Sequence, residues 1–238
     1  MITKKEFLKL IEDKGASDFV ESSAGIEKYI RLFEYFGRAK PDPKKIADLG
    51  GGYFSYKVLS FLAPNSRILT INKDRRDMKG CPKQLIADLE KDIRLKDKFD
   101  LVFSADTIEH MLHPDKFMSN VSRLLDNGGL FIITTPNLAS WMNRASLCFG
   151  LSPTNYDISS KYKLGNPFCG KTPAGHRSVF TKRALVEYLR LHGFDIVCSY
   201  GYAYTEKVKR LRAIRMLVNR IVPSSMKEGI FIVARKNR

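Results

Sequence analysis

Lys44-Lys45-Ile46-Ala47-Asp48-Leu49-Gly50-Gly51-Gly52 opens one continuous half-sheet, and Gly128-Gly129-Leu130-Phe131-Ile132-Ile133-Thr134-Thr135-Pro136-Asn137 closes it. In the first stretch an apolar strand ends in an acid and a glycine cluster. Glycine carries no Cβ and accepts positive φ, so the backbone can approach a ligand closely there. Between the two ends stands Phe99-Asp100-Leu101-Val102-Phe103-Ser104-Ala105-Asp106-Thr107-Ile108-Glu109-His110-Met111-Leu112-His113-Pro114. It reads as another buried strand that runs into a polar turn, then a helix, before the Gly128-Gly129 turn.

Working outward, strands are expected over 46–49, 67–71, 84–87, 100–103 and 130–134, with helices over 54–62 and near 116–125. Strand and helix alternate, which specifies a parallel, doubly wound sheet. Upstream, 3–14 and 24–38 have helical spacing, with Ile26, Ile30, Phe33 and Phe36 on one face of the second; Pro41 and Pro43 stop it. Residues 138–178 break the rhythm. Pro153, Gly165, Pro167, Gly170, Pro173 and Gly175 punctuate a stretch expected to lack regular structure, and its five aromatics argue against disorder. Order resumes with a helix capped by Thr181 and stopped by Gly193, a strand over 195–199, a basic helix over 205–222 and a last strand over 230–234.

Composition narrows the class. With 238 residues, 44% hydrophobic and 28% charged, the chain suits one soluble α/β domain, and no stretch approaches the roughly 20 apolar residues of a membrane span. Met1-Ile2-Thr3-Lys4-Lys5-Glu6 lacks the apolar core of a secretory signal, so a cytoplasmic location is expected. Cys81, Cys148, Cys169 and Cys198 form no C-x-x-C pair; they are read as free thiols, Cys198 buried in a strand, and no metal site is expected. The net charge is +16, and residues 205–238 carry half of it, 10 basic against 2 acidic. Such a tail points to phosphate in nucleic acid, lipid head groups or substrate, or to a solvated face.

Asp48, Gly50 and Gly52, then Ser104 to His113, then Gly128-Gly129 resemble the class I S-adenosylmethionine-dependent methyltransferases. The likeness covers about four fifths of the chain, most closely 46–137. It implies a Rossmann-like α/β fold, a seven-stranded mostly parallel sheet with helices on both faces, in a single domain over 1–238. Within it, 1–40 would be an N-terminal helical cap, 41–137 the cofactor-binding half, 138–180 a substrate lid and 181–238 a C-terminal half with the basic helix. By resemblance, Gly50, Gly51 and Gly52 pass under the methionine part of S-adenosylmethionine, with Asp48 near its amino group. Asn72 stands where the family places an acid for the ribose, with Asp74 two residues later as the alternative, Asp88 and Leu89 meet the adenine, and Ser104 and Ala105 run beside the methyl group. Phe54 departs from the family's third glycine. S-adenosylhomocysteine would be the product.

The cofactor already supplies a good leaving group, so the protein must mainly position a nucleophile and, for a hydroxyl, remove its proton. His176, in Gly175-His176-Arg177-Ser178, is the preferred base or substrate contact, and His110 the other candidate. Arg177 suits an anionic group, and Trp141 and Tyr156 offer lid surface to substrate. Ser104-Ala105-Asp106-Thr107 is not the Asn/Asp-Pro-Pro-aromatic run of enzymes that methylate base amines. A small-molecule or lipid-linked acceptor, methylated at oxygen, is therefore expected, with peripheral contact to anionic membrane through 205–222. The alternatives are an RNA-directed methyltransferase, which would explain the charge, a methyltransferase-fold protein that only binds, and a nicotinamide-dependent dehydrogenase, which lacks its final glycine here.

Overall fold

The computed structural model describes residues 24–204 and 217–237. The expected helix over 3–14 and most of the basic helix over 205–222 lie outside the described residues. Helix α1 (Ala24–Ala39) leads into β1 (Lys45–Leu49), α2 (Tyr53–Leu62), β2 (Arg67–Asn72), β3 (Gln84–Ile86) and β4 (Phe99–Ala105). A 3-10 turn (Ile108–His110), α3 (Pro114–Leu124), β5 (Leu125–Pro136) and α4 (Trp141–Cys148) follow. After the lid come α5 (Lys182–Leu191), β6 (Phe194–Tyr202), a 3-10 turn (Ser224–Met226) and β7 (Gly229–Lys236).

Among the described residues these strands form one seven-stranded sheet ordered β3-β2-β1-β4-β5-β7-β6, parallel except for β7, which runs antiparallel to both its neighbours. Strand residues alternate between the two faces. Ala47, Leu49, Val102, Phe131 and Ile133 meet α3 and α5 through Phe117, Val121, Leu185 and Leu189. Ile46, Leu101, Phe103, Ile132 and Phe231 meet α1 and α2 through Tyr29, Leu32, Phe36, Val58 and Leu59. Burial on both faces explains why the strands read as unbroken apolar runs. No helix among the described residues is long and apolar enough to cross a membrane.

Several expectations shift. Strand β5 begins at Leu125 rather than 130: Gly128 takes φ 77 inside the strand, where the β4 register slips between Phe99 and Leu101, so the turn is a bulge. The face of α1 that is fully covered is Lys28, Tyr29, Leu32 and Phe36, with Ile26, Ile30 and Phe33 only partly buried. The stretch over 138–178 is not wholly irregular, because α4 starts there with Ser140 accepting the Asn143 N–H. Cys198 is half-buried, since β6 is the sheet edge, and Cys81 is the buried thiol.

Candidate functional site

The chain runs outward from β1 to β2 and β3, then returns to place β4 on the other side of β1. Ligands in open α/β sheets sit at such a switch point, beyond the carboxyl ends of the strands. Here the two ends are the Gly50-Gly51-Gly52 turn and Ala105-Asp106. Gly50 adopts φ 72 and donates its N–H to the Ile71 carbonyl at 2.8 Å. The Asn72 amide donates to the Gly51 carbonyl at 2.7 Å, and its oxygen accepts the Asp74 N–H at 3.2 Å. Asn72 thus buttresses the glycine turn. Ser55, in the first turn of α2, accepts the Gly52 N–H and donates to Asp48 at 2.5 Å. A cavity of about 380 Å³ opens above, walled by Lys28, Tyr29, Asp48, Gly50 to Ser55, Arg76, Asp77, Ala105 and Asp106.

Two charges dominate this cavity. Lys28 of α1 pairs with Asp106 at 2.7 Å; burial works against its ammonium, but Asp106 and Tyr29 hold its pKa above the ordinary value. Asp106 is one of two non-glycine residues among those described with positive φ, 49°, a strained conformation of the kind found at ligand sites. Asp48 is fully buried, its Oδ1 has no hydrogen-bond partner among the described residues, and burial, against the Ser55 bond and Lys28, pushes its pKa from 3.8 to about 7. The unfolded chain therefore releases this proton first. Stability from Asp48 is whole below about pH 4 and erodes as pH rises to about 7, by roughly 4 kcal/mol on the ionisation scale. Asp48→Asn is expected to melt higher than wild type by a margin that widens from about pH 5 to about pH 8. Equal margins in thermal melts at both pH values would show that this carboxyl ionises as a free one does.

A second cavity of about 340 Å³ is walled mainly by the 138–180 segment, with Ser140, Met142, Thr154, Asn155 and Phe168, and by Tyr204 and Glu228. The lid is ordered by buried polar hubs. Asn143 donates to the Leu138 carbonyl at 3.0 Å and the Asn155 side chain at 2.6 Å, and accepts from Thr154 N and Oγ1 at 2.9 Å each. Asp157 pairs with Lys163 at 2.5 Å and accepts the Gly175 and His176 N–H groups. The returning lid is pinned to the 3-10 turn, where Arg177 and Ser178 both donate to the Glu109 carbonyl, at 2.6 and 3.0 Å. This sets His176 edge-on to His110, ring centroids 4.9 Å apart. Burial, then His110, lowers the His176 pKa. Glu109 is wholly buried, and burial followed by the Asp106 charge raises its pKa well above the carboxylate range.

The structure gathers Asp48, Gly50, Gly51, Gly52 and Ala105 at the first cavity. Ser104 and Leu89 are buried, the Ser104 hydroxyl donating to the Leu49 carbonyl, and Asp88 caps the Glu90 N–H. Trp141 donates to Asn219, Tyr156 is on the surface, and Arg177 reaches the Asp157 carbonyl. None of these, nor Asn72, is among the walls of either cavity. Sequence reading missed Lys28, Tyr29, Asp77, Asp106 and Glu109. One signal was available: Lys28 shares a helical stripe with Leu32 and Phe36, and a lysine there needs a partner. Phe54, the departure from the glycine pattern, packs edge-on against Tyr29 at 5.0 Å and helps fasten α1 over the cavity.

Residues 22–199, about three quarters of the chain, match the family described as methyltransferase domain. No curated protein sequence matches. Among solved structures, an S-adenosylmethionine-dependent methyltransferase from Clostridium acetobutylicum is 14% identical, with a TM-score of 0.59 over 98% of this chain and 99% of its own. The N-methyltransferase NodS from Bradyrhizobium japonicum, in complex with S-adenosyl-L-homocysteine, is 12% identical, with a TM-score of 0.57 over 98% of each chain. A chain from the complex between the Haloferax volcanii Trm112 methyltransferase activator and a methyltransferase is 13% identical, with a TM-score of 0.62 over 100% of this chain and 98% of that one. At these identities the likeness is one of fold.

Proposed function

The chain belongs to the class I S-adenosylmethionine-dependent methyltransferases, whose cofactor supplies the methyl group on a sulfonium, and from that premise we propose that it methylates a hydroxyl of a small or lipid-linked acceptor. The first cavity suits the cofactor. Its floor is a turn without side chains, and the unpartnered Oδ1 of Asp48 is an acceptor held out of water, which a cationic amino group would satisfy. Lys28 could hold the cofactor's carboxylate in exchange for part of its bond to Asp106. Asp88 and Leu89 are kept as the adenine side of the site, with Asn72 acting through the Gly51 carbonyl.

The observation that carries the acceptor reading is the His110–His176 pair. His110 follows Asp106, a wall of the first cavity, by four residues, and the His176 ring bonds the carbonyl of Asn155, a wall of the second, at 3.1 Å. Neither imidazole walls either cavity; in this reading both stand on the path a hydroxyl would take from the second cavity toward the methyl group, with Arg177 one residue away for an anionic neighbour. A lipid-linked acceptor is favoured by Phe149 and Phe168, 81% and 88% exposed in a stretch that also carries Arg144, Lys161 and Lys171.

Calorimetric titration with S-adenosylhomocysteine, with NADH as control, tests the cofactor site. Micromolar binding that is lost in Asp48→Ala, and no response to NADH, is the expected result. Labelled methyl transfer is then expected to hydroxyl-bearing lipid-linked glycans or quinone precursors. Transfer to tRNA alone would replace this acceptor class with RNA, and absence of any cofactor binding would leave a scaffold that only binds.

A further inference from the structure

We propose that Glu109, His110 and His176 form a binding site for one divalent transition-metal cation. Each contributes an atom able to ligate, and the three atoms lie within 4.8 Å of one another. Glu109 is fully buried, Thr135 donates to its Oε2 at 3.0 Å, and its Oε1 has no hydrogen-bond partner among the described residues. A buried carboxyl oxygen left without a donor is costly, and a cation would satisfy it. Lys28, whose charge reaches Glu109, is already engaged by Asp106.

The imidazole of His176 is arranged as a ligand should be. Its Nδ1 lies 3.1 Å from the Asn155 carbonyl, so Nδ1 carries the proton and the Nε2 lone pair is free. Metal-bound histidines are fixed by the same kind of outer bond. The three residues are also brought together by main chain rather than by chance of rotamer: the Arg177 and Ser178 N–H groups clamp the lid to the Glu109 carbonyl. Two imidazoles and one carboxylate suit zinc, cobalt, manganese or iron better than magnesium or calcium, which prefer all-oxygen sets.

Three protein ligands leave positions open, as catalytic rather than structural sites do. Resting on the oxygen-acceptor reading above, the cation would hold and acidify the acceptor hydroxyl. Its proton passes to water, the new O–C bond forms as the C–S bond breaks, and the electron pair of that bond stays on sulfur. His110 and His176 would then act through the ion, not as free bases.

The test is titration of the chelator-treated full chain with Co²⁺, followed by visible absorption, beside calorimetry with S-adenosylhomocysteine. One equivalent is expected to bind with nitrogen and oxygen ligation, without a thiolate charge-transfer band, and to be displaced by Zn²⁺. His110→Ala and His176→Ala should each weaken Co²⁺ by more than the ~10–100-fold that loss of an outer partner costs, with circular dichroism and S-adenosylhomocysteine affinity unchanged. Glu109→Gln should weaken it too. A chain that binds S-adenosylhomocysteine but takes up neither Co²⁺ nor Zn²⁺ overturns the site and leaves the methyltransferase reading standing. So does Co²⁺ uptake that is indifferent to His176→Ala or that shows a thiolate band. Co²⁺ bound at these residues in a chain that takes up no S-adenosylhomocysteine supports the site and overturns the methyltransferase reading.

Discussion

Replacing Gly50 with alanine is expected to lower S-adenosylhomocysteine affinity by ~100-fold or more, about 2.7 kcal/mol, in a protein that still folds. Two costs coincide at this position. An L side chain at φ 72 is disfavoured by roughly 1–2 kcal/mol, and the added Cβ would overlap the Thr107 side chain. Thr107 cannot retreat freely, because it is buried and its hydroxyl reaches the Leu49 and Ala105 carbonyls at 3.3 and 3.2 Å. The turn must therefore lift into the cavity it floors. Gly128→Ala is the control: φ there is 77, yet nothing lies within 4 Å of a Cβ, so stability should fall by about 1 kcal/mol while cofactor affinity holds. Calorimetry on both variants decides. An affinity for Gly50→Ala within threefold of wild type would mean that the glycine turn is not the cofactor's floor.

The second large effect is expected at Asn143. Its side chain is wholly buried and makes hydrogen bonds to the Asn137 and Leu138 carbonyls, to Asn155 and to Thr154. Alanine removes all of them and strands the Thr154 N–H and the Asn155 oxygen. Unmade buried bonds of this number cost roughly 2 kcal/mol or more, which is about 30-fold in the local opening equilibrium. Trypsin cleavage at Lys161, Lys163 and Lys171 should quicken by that factor, and methyl transfer should fall with it. Cofactor affinity should not change, since the glycine turn lies on other elements. An unaltered cleavage rate would remove Asn143 from its place as organiser of the lid.

How much of this was visible in the chain depends on the distance over which each contact acts. Apolar runs such as Ile46 to Leu49 are strands because both their faces are covered, and that needs only local reading. Thr181 and Gly193 were legible for the same reason: the cap bond to Ala184 and φ 80 are properties of a few adjacent residues. Helix α4 was not, because it is short and buries Asn143 rather than an apolar stripe, leaving Ser140 as the main signal. The expected turn at Gly128-Gly129 proved a bulge, since the pairing of β5 with β4 outweighs the turn preference of Asp126-Asn127. At the site, the glycine motif is one contiguous stretch and so could be read. The ion pair of Lys28 with Asp106 spans 78 residues, and Glu109 meets His176 only through the returning lid. Asn72 stands where the resemblance implies a ribose contact, and its amide also bonds the Gly51 carbonyl, which no spacing rule anticipates.

The lid's hubs are nearly all internal to its own stretch of chain: Asn143 with Thr154 and Asn155, Asp157 with Lys163 and His176, Asn166 with Ser152. Among the described residues the lid's ties to the rest of the chain include the bridge of Asn137 with Phe180, the Glu109 carbonyl, the Ser178 hydroxyl on the Met111 carbonyl and the Trp141 bond to Asn219. Such a segment keeps its shape largely by its own bonds, so a change inside it is expected to leave the sheet and the glycine turn as they are.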